Sequence, residues 1–367
     1  MPERTKPPFR ADHVGSLIRP QALIDARNAN SAELRRIQEQ AIRDVVAMQQ
    51  DLGLHVVTDG EYNRGAWHRD FLLRFENVKL IPSKMAVTFH TESGAREHAP
   101  PSWQVAGKLA RPKPIFVDDF RFLKSIAKAT PKVTIPSPTV MHFRGGRDAI
   151  DTTAYPDMAE FYADLAGVYQ QEIADLADAG CRYLQLDEVN LAYLCDPALR
   201  NSVVNIGEDP ASLPQTYARL LNDTIAKRPA DMTVGMHLCR GNFAGAWVAE
   251  GSYEPVAELL FNAINVDGYF LEYDSERAGG FEPLRFLPKG KVAVLGLVTT
   301  KNAQLETKDD LKRRIDQAAR FAPLDQLALS PQCGFESGIG GNTMTVEQEM
   351  AKLRLIVETA REVWGSA

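Results

Sequence analysis

Apolar positions along this chain switch repeatedly between two periods. Runs with apolar residues at alternate positions, or of nearly continuous apolar character, read as strands, and runs with apolar residues every three to four positions read as helices. Eight strand-like runs follow one another: "RADHVGS", "HVVTDGE", "VTIPSP", "RYLQLDEV", "MTVGMHLC", "DGYFLEY", "KVAVLGLV" and "QLALSPQCG". Helical runs alternate with them. "SAELRRIQEQAIRDVVAMQQDLG" has Ser31 placed as an N-cap and Gly53 as its stop. "DMAEFYADLAGVYQQEIADLADAG", "LPQTYARLLNDTIAKR", "EPVAELLFNAI" and "TKDDLKRRIDQAARFA" follow, and "VEQEMAKLRLIVETAREVW" comes after the last strand.

Eight strands alternating with helices predict an α/β fold, a single (β/α)8 TIM barrel forming one catalytic domain over residues 1–367. A doubly wound open sheet is the structural alternative, but no glycine-rich turn follows the first strand. An excursion near residues 75–130 delays the third strand. Its runs "KMAVTFH" and "WQVAGKL" predict the two strands of a β-hairpin decorating the barrel mouth.

Composition narrows the function classes. The 367 residues are 44% hydrophobic and 25% charged with a net charge of −6, which gives no basic surface for nucleic acid. No apolar run is long enough to span a membrane, and the start has no signal-peptide core. Four cysteines are too few for a disulfide scaffold, so a cytoplasmic enzyme with reduced thiols is expected. Nothing here excludes a homo-oligomer.

Barrel enzymes carry their chemistry at the C-terminal ends of the strands. Here those ends hold Gly15 and Ser16, Asp59 and Glu61, Asp187 and Glu188, His237 and Cys239, Glu272, and Cys333. His237 and Cys239 are two apart, so in a strand both face one side; alone, that is also the pattern of a core strand. With Glu272 and Cys333 they supply nitrogen, oxygen and sulfur, the ligand atoms zinc takes. The set lacks the paired hooks of a structural zinc site and is rich in electrons, so it suits a catalytic zinc that activates a thiol. Cys181 reads as core. Cys195 reads as a loop residue. Trp67, His68 and Arg69 read equally as mouth lining or as an amphipathic surface helix, and "KDDLKRR" as a solvated helix face.

The landmarks "HVGS", "DGEYNR", "LQLDEV", "HLCRGNF", "LEYDSER" and "SPQCGF" stand in an order and spacing that resemble the catalytic barrel of cobalamin-independent methionine synthase, from about residue 10 to residue 360. Long members carry a second, N-terminal barrel that has no counterpart here; the chain looks like the short single-barrel relatives. The resemblance implies zinc held by His237, Cys239, Glu272 and Cys333. It implies homocysteine held by Ser16 at its carboxylate and by Glu61 and Asp187 at its ammonium. It also implies a methyltransferase of methionine biosynthesis, acting on a small-molecule thiol and an alkyl donor. The zinc keeps the substrate sulfur as a thiolate, which attacks an electrophilic methyl in line.

The donor half departs from the family. Members that use methyltetrahydrofolate have a histidine after the seventh strand, where "LGLVTTKN" offers Lys301 as the nearest catalytic acid. They have a pterin-stacking tryptophan after the third strand, where "PSPTVMHFRGG" offers His142, Phe143 and Arg144. The alternative reading is a zinc-dependent, epoxide-opening thiol transferase resembling epoxyalkane:coenzyme M transferase. Its thiol carries a sulfonate and no ammonium, so Glu61 and Asp187 weigh against it.

Overall fold

The computed structural model describes residues 3–83, 87–91, 94–98 and 100–367. Its strands, in chain order, are β1 (Val56–Val57), β2 (Val78–Ile81), β3 (Val87–Thr91), β4 (Gly94–His98), β5 (Ser102–Val105), β6 (Thr130–Pro131), β7 (Val133–Pro136), β8 (Tyr183–Glu188), β9 (Thr233–Leu238), β10 (Gly268–Glu272), β11 (Val292–Val298) and β12 (Leu327–Pro331). The architecture is the expected TIM-type α/β barrel. Strands β7 to β12 form a continuous parallel ladder in chain order, each joined to the next through a helical crossover.

The two remaining barrel strands are much shorter than their sequence patterns predict. "HVVTDGE" keeps only β1, parallel to β6; Lys132 N–H, between β6 and β7, donates to Val57 O at 2.8 Å. "RADHVGS" keeps a single parallel bridge, Ala11 to Leu329 of β12. Between these two segments the described residues show Leu17 N–H to Gly60 O at 3.1 Å and the Thr58 hydroxyl to Gly15 O at 2.6 Å, in place of a ladder. The reason is local backbone geometry. Gly15 (φ 136°), Gly60 (φ 66°) and Glu61 (φ 62°) leave the extended region, and a ladder cannot run through them.

Period-two alternation sets the barrel interior. Tyr183, Phe270, Val294 and Ala328 pack there with Phe9, Val14 and Val56 as an apolar plug. Two residues further along the same strand faces come Gln185, Glu272, Gly296 and Ser330, and Asp187 ends the face of β8. The intervening strand residues, such as Leu184, Leu186, Val234, Met236 and Leu271, pack outward on the helices Leu34–Asp51, Met158–Asp178, Leu213–Ile225, Glu254–Ala263, Lys308–Ala318 and Val346–Trp364. The first of these begins at Leu34, not after Ser31, whose hydroxyl instead accepts from Glu33 N–H at 3.2 Å. A short helix, Gln21–Asn28, precedes it without a counterpart in the sequence reading; it is anchored by buried Leu23 and Ala26.

The excursion forms two antiparallel pairs, not one. Strand β3 pairs with β4, and β2 pairs with β5. Thus "WQVAGKL" meets Val78–Ile81 and not "KMAVTFH", whose first three residues lie outside the described residues. The inner pair is tied to the barrel by reciprocal backbone hydrogen bonds between His90 and Trp247, at 2.7 and 3.1 Å.

Glu349, on the closing helix, is fully buried and accepts from Ile18 N–H at 3.0 Å, while its other oxygen has no partner. Burial, and then Glu336, raise its carboxyl from 4.5 to about 8. The folded chain therefore holds this proton more tightly than the unfolded chain, and stability falls as pH rises from 4.5 to about 8. Glu349→Gln is expected to flatten that fall, so that urea midpoints of variant and parent differ most, in favour of the variant, above about pH 8.

Candidate active site

His237 lies on the inward face of β9, and Cys239 continues that face one residue beyond the strand, its N–H donating to Glu188 O at 2.8 Å. Glu272 ends β10. Cys333 follows β12, where Gln332 crosses Gly296 of β11 so closely that a Cβ there would stand 2.7 Å from the Gln332 Cα. One ligand atom from each of His237, Cys239, Glu272 and Cys333 lies within 4.8 Å of the others. The two sulfurs are 3.7 Å apart and His237 Nε2 is 3.8 Å from Glu272 Oε1. A tetrahedral zinc with Zn–S bonds of about 2.3 Å requires sulfurs about 3.8 Å apart. Both ring nitrogens of His237 are buried without a hydrogen-bond partner. Buried imidazoles are rarely left so, and a metal ligand has this need. The residues fit zinc.

The surroundings hold the carboxylate in place. Glu272 Oε1 accepts from Arg240 N–H at 3.0 Å and from Asn242 at 2.7 Å; Oε2 accepts from Gln332 at 3.2 Å and faces Arg277 at 3.3 Å. Arg277 also pairs with Asp274 at 2.9 Å, and Asp274 pairs with Lys301. Burial works against the Asp274 carboxylate, but Lys301 and Arg277 outweigh it and hold its carboxyl below the usual range. Lys301 also donates to Gln332 at 3.0 Å. It is thus engaged behind the ligand cluster and does not line the cavity in front of it. The Cys239 thiol is pulled well below its ordinary range, chiefly by a hydrogen bond with Cys333 and then by His237.

Glu61, Asp187 and Ser16 face the same cavity as the ligand cluster. Glu61 sits at φ 62°, a costly conformation for a residue with a side chain, which fixes where its carboxylate points. Its Oε1 accepts from Thr134 at 2.8 Å and lies 3.6 Å from Arg64, while Oε2 is buried without a partner. Burial, and then Glu61, push Asp187 up to about 7. By contrast, Glu188 is fully engaged by Ser137, Thr139, Asn190 N–H and Leu191 N–H. Ser16 is wedged by glycines: a Cβ on Gly334 would stand 2.0 Å from its hydroxyl, and one on Gly15 would meet Thr134 at 2.6 Å.

The cavity measures about 1140 Å³ and runs from this polar floor outward beneath the hairpins. Trp67, His68 and Arg69 line it, with Phe89 and Arg96 from the excursion. Of the triplet after β7 only Arg144 does so. His142 turns away to Tyr217 at 3.0 Å and Glu208 at 3.2 Å, and Phe143 packs on Tyr193. Cys181 and Cys195 are buried and stand outside the ligand cluster. The sequence reading missed Asn242, Arg277 and Gln332 as supports of Glu272. The only signal for them was their place inside the landmarks that hold the ligands.

Fold and site together define a barrel enzyme with a thiolate-rich metal-type centre at the C-terminal ends of its strands. Residues 18–362 match the family described as the cobalamin-independent synthase, catalytic domain, and the chain belongs to that family. It is 45% identical to YxjH of Bacillus subtilis (strain 168), itself uncharacterized, over 99% of this chain and 96% of that one. It is 24% identical to a methionine synthase of Pyrococcus abyssi over 88% of this chain and 85% of that one. A crystal structure from Listeria monocytogenes, provisionally described as a vitamin-B12-independent methionine synthase, superposes with a TM-score of 0.77 at 36% identity, covering 98% of this chain and 99% of that one.

Cys239→Ser and Cys333→Ser are each expected to remove most of the bound zinc, read by metal analysis of the purified protein, while leaving its far-ultraviolet circular dichroism unchanged. The ligands sit at the barrel rim, beyond the apolar plug that holds the strands together. Full zinc in both variants would exclude this ligand set.

Proposed function

We propose that this chain is a zinc-dependent methyltransferase that transfers a methyl group to the thiol of homocysteine, giving methionine. The observation that carries the reading is the shared cavity: His237, Cys239 and Cys333 of the cluster that Glu272 completes line the same space as a carboxylate pair, Glu61 and Asp187. Bound by that cluster, zinc supplies the Lewis acidity that keeps a thiol ionised near neutral pH.

The chain's own residues do the rest. Burial and the facing Glu61 carboxylate raise the proton affinity of Asp187; a cation set between the two carboxylates relieves this, and the ammonium of an amino acid is one. The Ser16 hydroxyl receives the amino acid's carboxylate. This fixes the acceptor by its amino-acid end and leaves its sulfur at the metal ligands, so that the reacting atoms meet in one geometry. A carbon–sulfur bond forms, the bond from methyl to its carrier breaks, and the thiol proton passes to the departing carrier or to solvent. Lys301, engaged by Asp274 and Gln332, acts here as a positioning residue for Arg277 and Glu272. A sulfonate-bearing thiol would meet two carboxylates, which weighs against the epoxide-opening reaction.

Asp187→Asn and Glu61→Gln are expected to raise the KM for homocysteine while leaving zinc content intact; loss of one partner of a desolvated ion pair costs on the order of 3–5 kcal/mol. Unchanged homocysteine kinetics in both variants would point to another thiol. With methyltetrahydrofolate as donor, turnover is expected to be slow, because among the described residues that line the cavity Lys301 has no place and His68 is held neutral, and general acid catalysis is typically worth about 10²–10⁴ in rate. A methylcorrinoid or a sulfonium should react faster. Rapid methionine formation from methyltetrahydrofolate, abolished in Lys301→Ala, would overturn that expectation and make Lys301 the acid.

A further inference from the structure

Beneath the carboxylate pair, a line of buried polar side chains runs along the barrel's apolar plug. Lys132, between β6 and β7, sets its ammonium 4.7 Å from the Phe270 ring centroid and 5.1 Å from that of Tyr183. Its three donors have three acceptors: Asp12 Oδ1 at 2.8 Å, His13 O, and Gln185 Oε1 at 3.1 Å. Asp12 is closed off in turn. Its Oδ1 also accepts from His13 N–H at 2.8 Å, and its Oδ2 accepts from the Tyr183 hydroxyl at 2.8 Å and from Phe9 N–H at 3.3 Å. Asp12, Lys132, Tyr183 and Gln185 are all buried. The Lys132–Asp12 ion pair is thus satisfied inside the barrel, and Gln185 links it to the cavity floor.

Gln185 stands two residues before Asp187 on the inward face of β8, and its amide can face only one way. Its Nε2 donates to Val14 O at 2.6 Å and to Asp187 Oδ1 at 2.7 Å, while its Oε1 accepts from Lys132. Turned over, the amide would set its NH2 against an ammonium, and its oxygen against a carbonyl and a carboxylate. Lys132 has donors alone to offer, so it fixes that choice. No lysine or arginine among the described residues pairs with Asp187, whereas Glu61 has Arg64 at 3.6 Å. Gln185 therefore holds Asp187 by one oxygen, Oδ1, and leaves the other for a ligand in the cavity that Asp187 lines.

We propose that Gln185, anchored by Lys132, is a positioning residue that sets this site's preference for a thiol bearing an ammonium group. It holds Asp187 by one oxygen, so that the other meets the ammonium at a fixed place relative to the metal ligands. The inference rests on the reading of Glu61 and Asp187 as the ammonium site. Neither Gln185 nor Lys132 lines the cavity, so both act through Asp187. A thiol without an ammonium group gains nothing from this relay and loses nothing when the relay is broken.

Thiol binding to the zinc-loaded, full-length protein, with no methyl donor present, tests this. Calorimetry compares homocysteine with γ-mercaptobutyrate, which lacks only the amino group, in the parent, in Gln185→Met and in Asp12→Asn/Lys132→Met. The double variant removes the buried ion pair as a unit, a far milder change than breaking it. The ratio of the two dissociation constants is expected to favour homocysteine in the parent. That preference should fall about 10- to 100-fold in Gln185→Met, the range for a lost hydrogen bond to a charged group, and by a smaller factor in the double variant. Binding of γ-mercaptobutyrate should change little in either. Equal weakening of both thiols, or an unchanged preference in whichever variant folds, overturns the proposal. A parent that does not prefer homocysteine overturns the ammonium reading instead. Crystal structures of the parent and of either variant then judge the positioning role by itself: an Asp187 carboxylate turned from its place in the parent supports it, and an unmoved one overturns it.

Discussion

Two thiols, an imidazole and a carboxylate within 4.8 Å of one another, at the mouth of a barrel, are the constraint that the neighbouring structure is built to satisfy. Burial alone disfavours the charged form of Glu272, and the nearby Cys239 adds to that. The strand ends answer with cations and donors in a fixed order. Arg277, Gln332, Asn242 and the Arg240 N–H take the four hydrogen-bonding directions of the Glu272 carboxylate. Asp274 and Lys301 then hold Arg277 and Gln332 in turn. A ligand cluster of this kind tolerates little displacement, because each group is fixed by a neighbour that is itself fixed.

Backbone strain is concentrated opposite the cluster. The left-handed Gly60–Glu61 pair and the positive-φ Gly15 break the barrel's hydrogen-bond ladder where Ser16 and Glu61 must turn into the cavity. The ladder bonds lost there are replaced by Thr58 to Gly15 O and by Leu17 N–H to Gly60 O. The barrel gives up regular pairing on the side that presents polar side chains and keeps it on the side that carries the metal-type ligands.

The excursion makes the cavity two-sided. Phe89 and Arg96 roof it from one hairpin, which is joined to the barrel through the His90–Trp247 backbone pair. Trp247 in turn lies 5.1 Å from the Arg277 guanidinium, so the roof and the support of Glu272 are in physical contact through one side chain.

What the sequence by itself determined is whatever depends on short-range periodicity. Alternation along "MTVGMHLC" and "DGYFLEY" puts His237 and Cys239 on one face and Glu272 on the equivalent face of the next strand, so the clustering of these side chains and the barrel class were both legible. Tertiary structure decided everything that depends on which distant segments meet. Nothing local to "WQVAGKL" states that it pairs with Val78–Ile81, since several strand-like runs of similar composition compete for it. Nothing local to "MHFRGG" says that His142 turns toward Tyr217 while Arg144 enters the cavity, because a short helix, Val140–Phe143, rotates successive side chains by about 100° each. Lys301 stood at the end of the right strand, yet Asp274, 27 residues away in sequence, draws it behind the ligands. Charge pairing across the barrel is a long-range term, and only the assembled fold sets it.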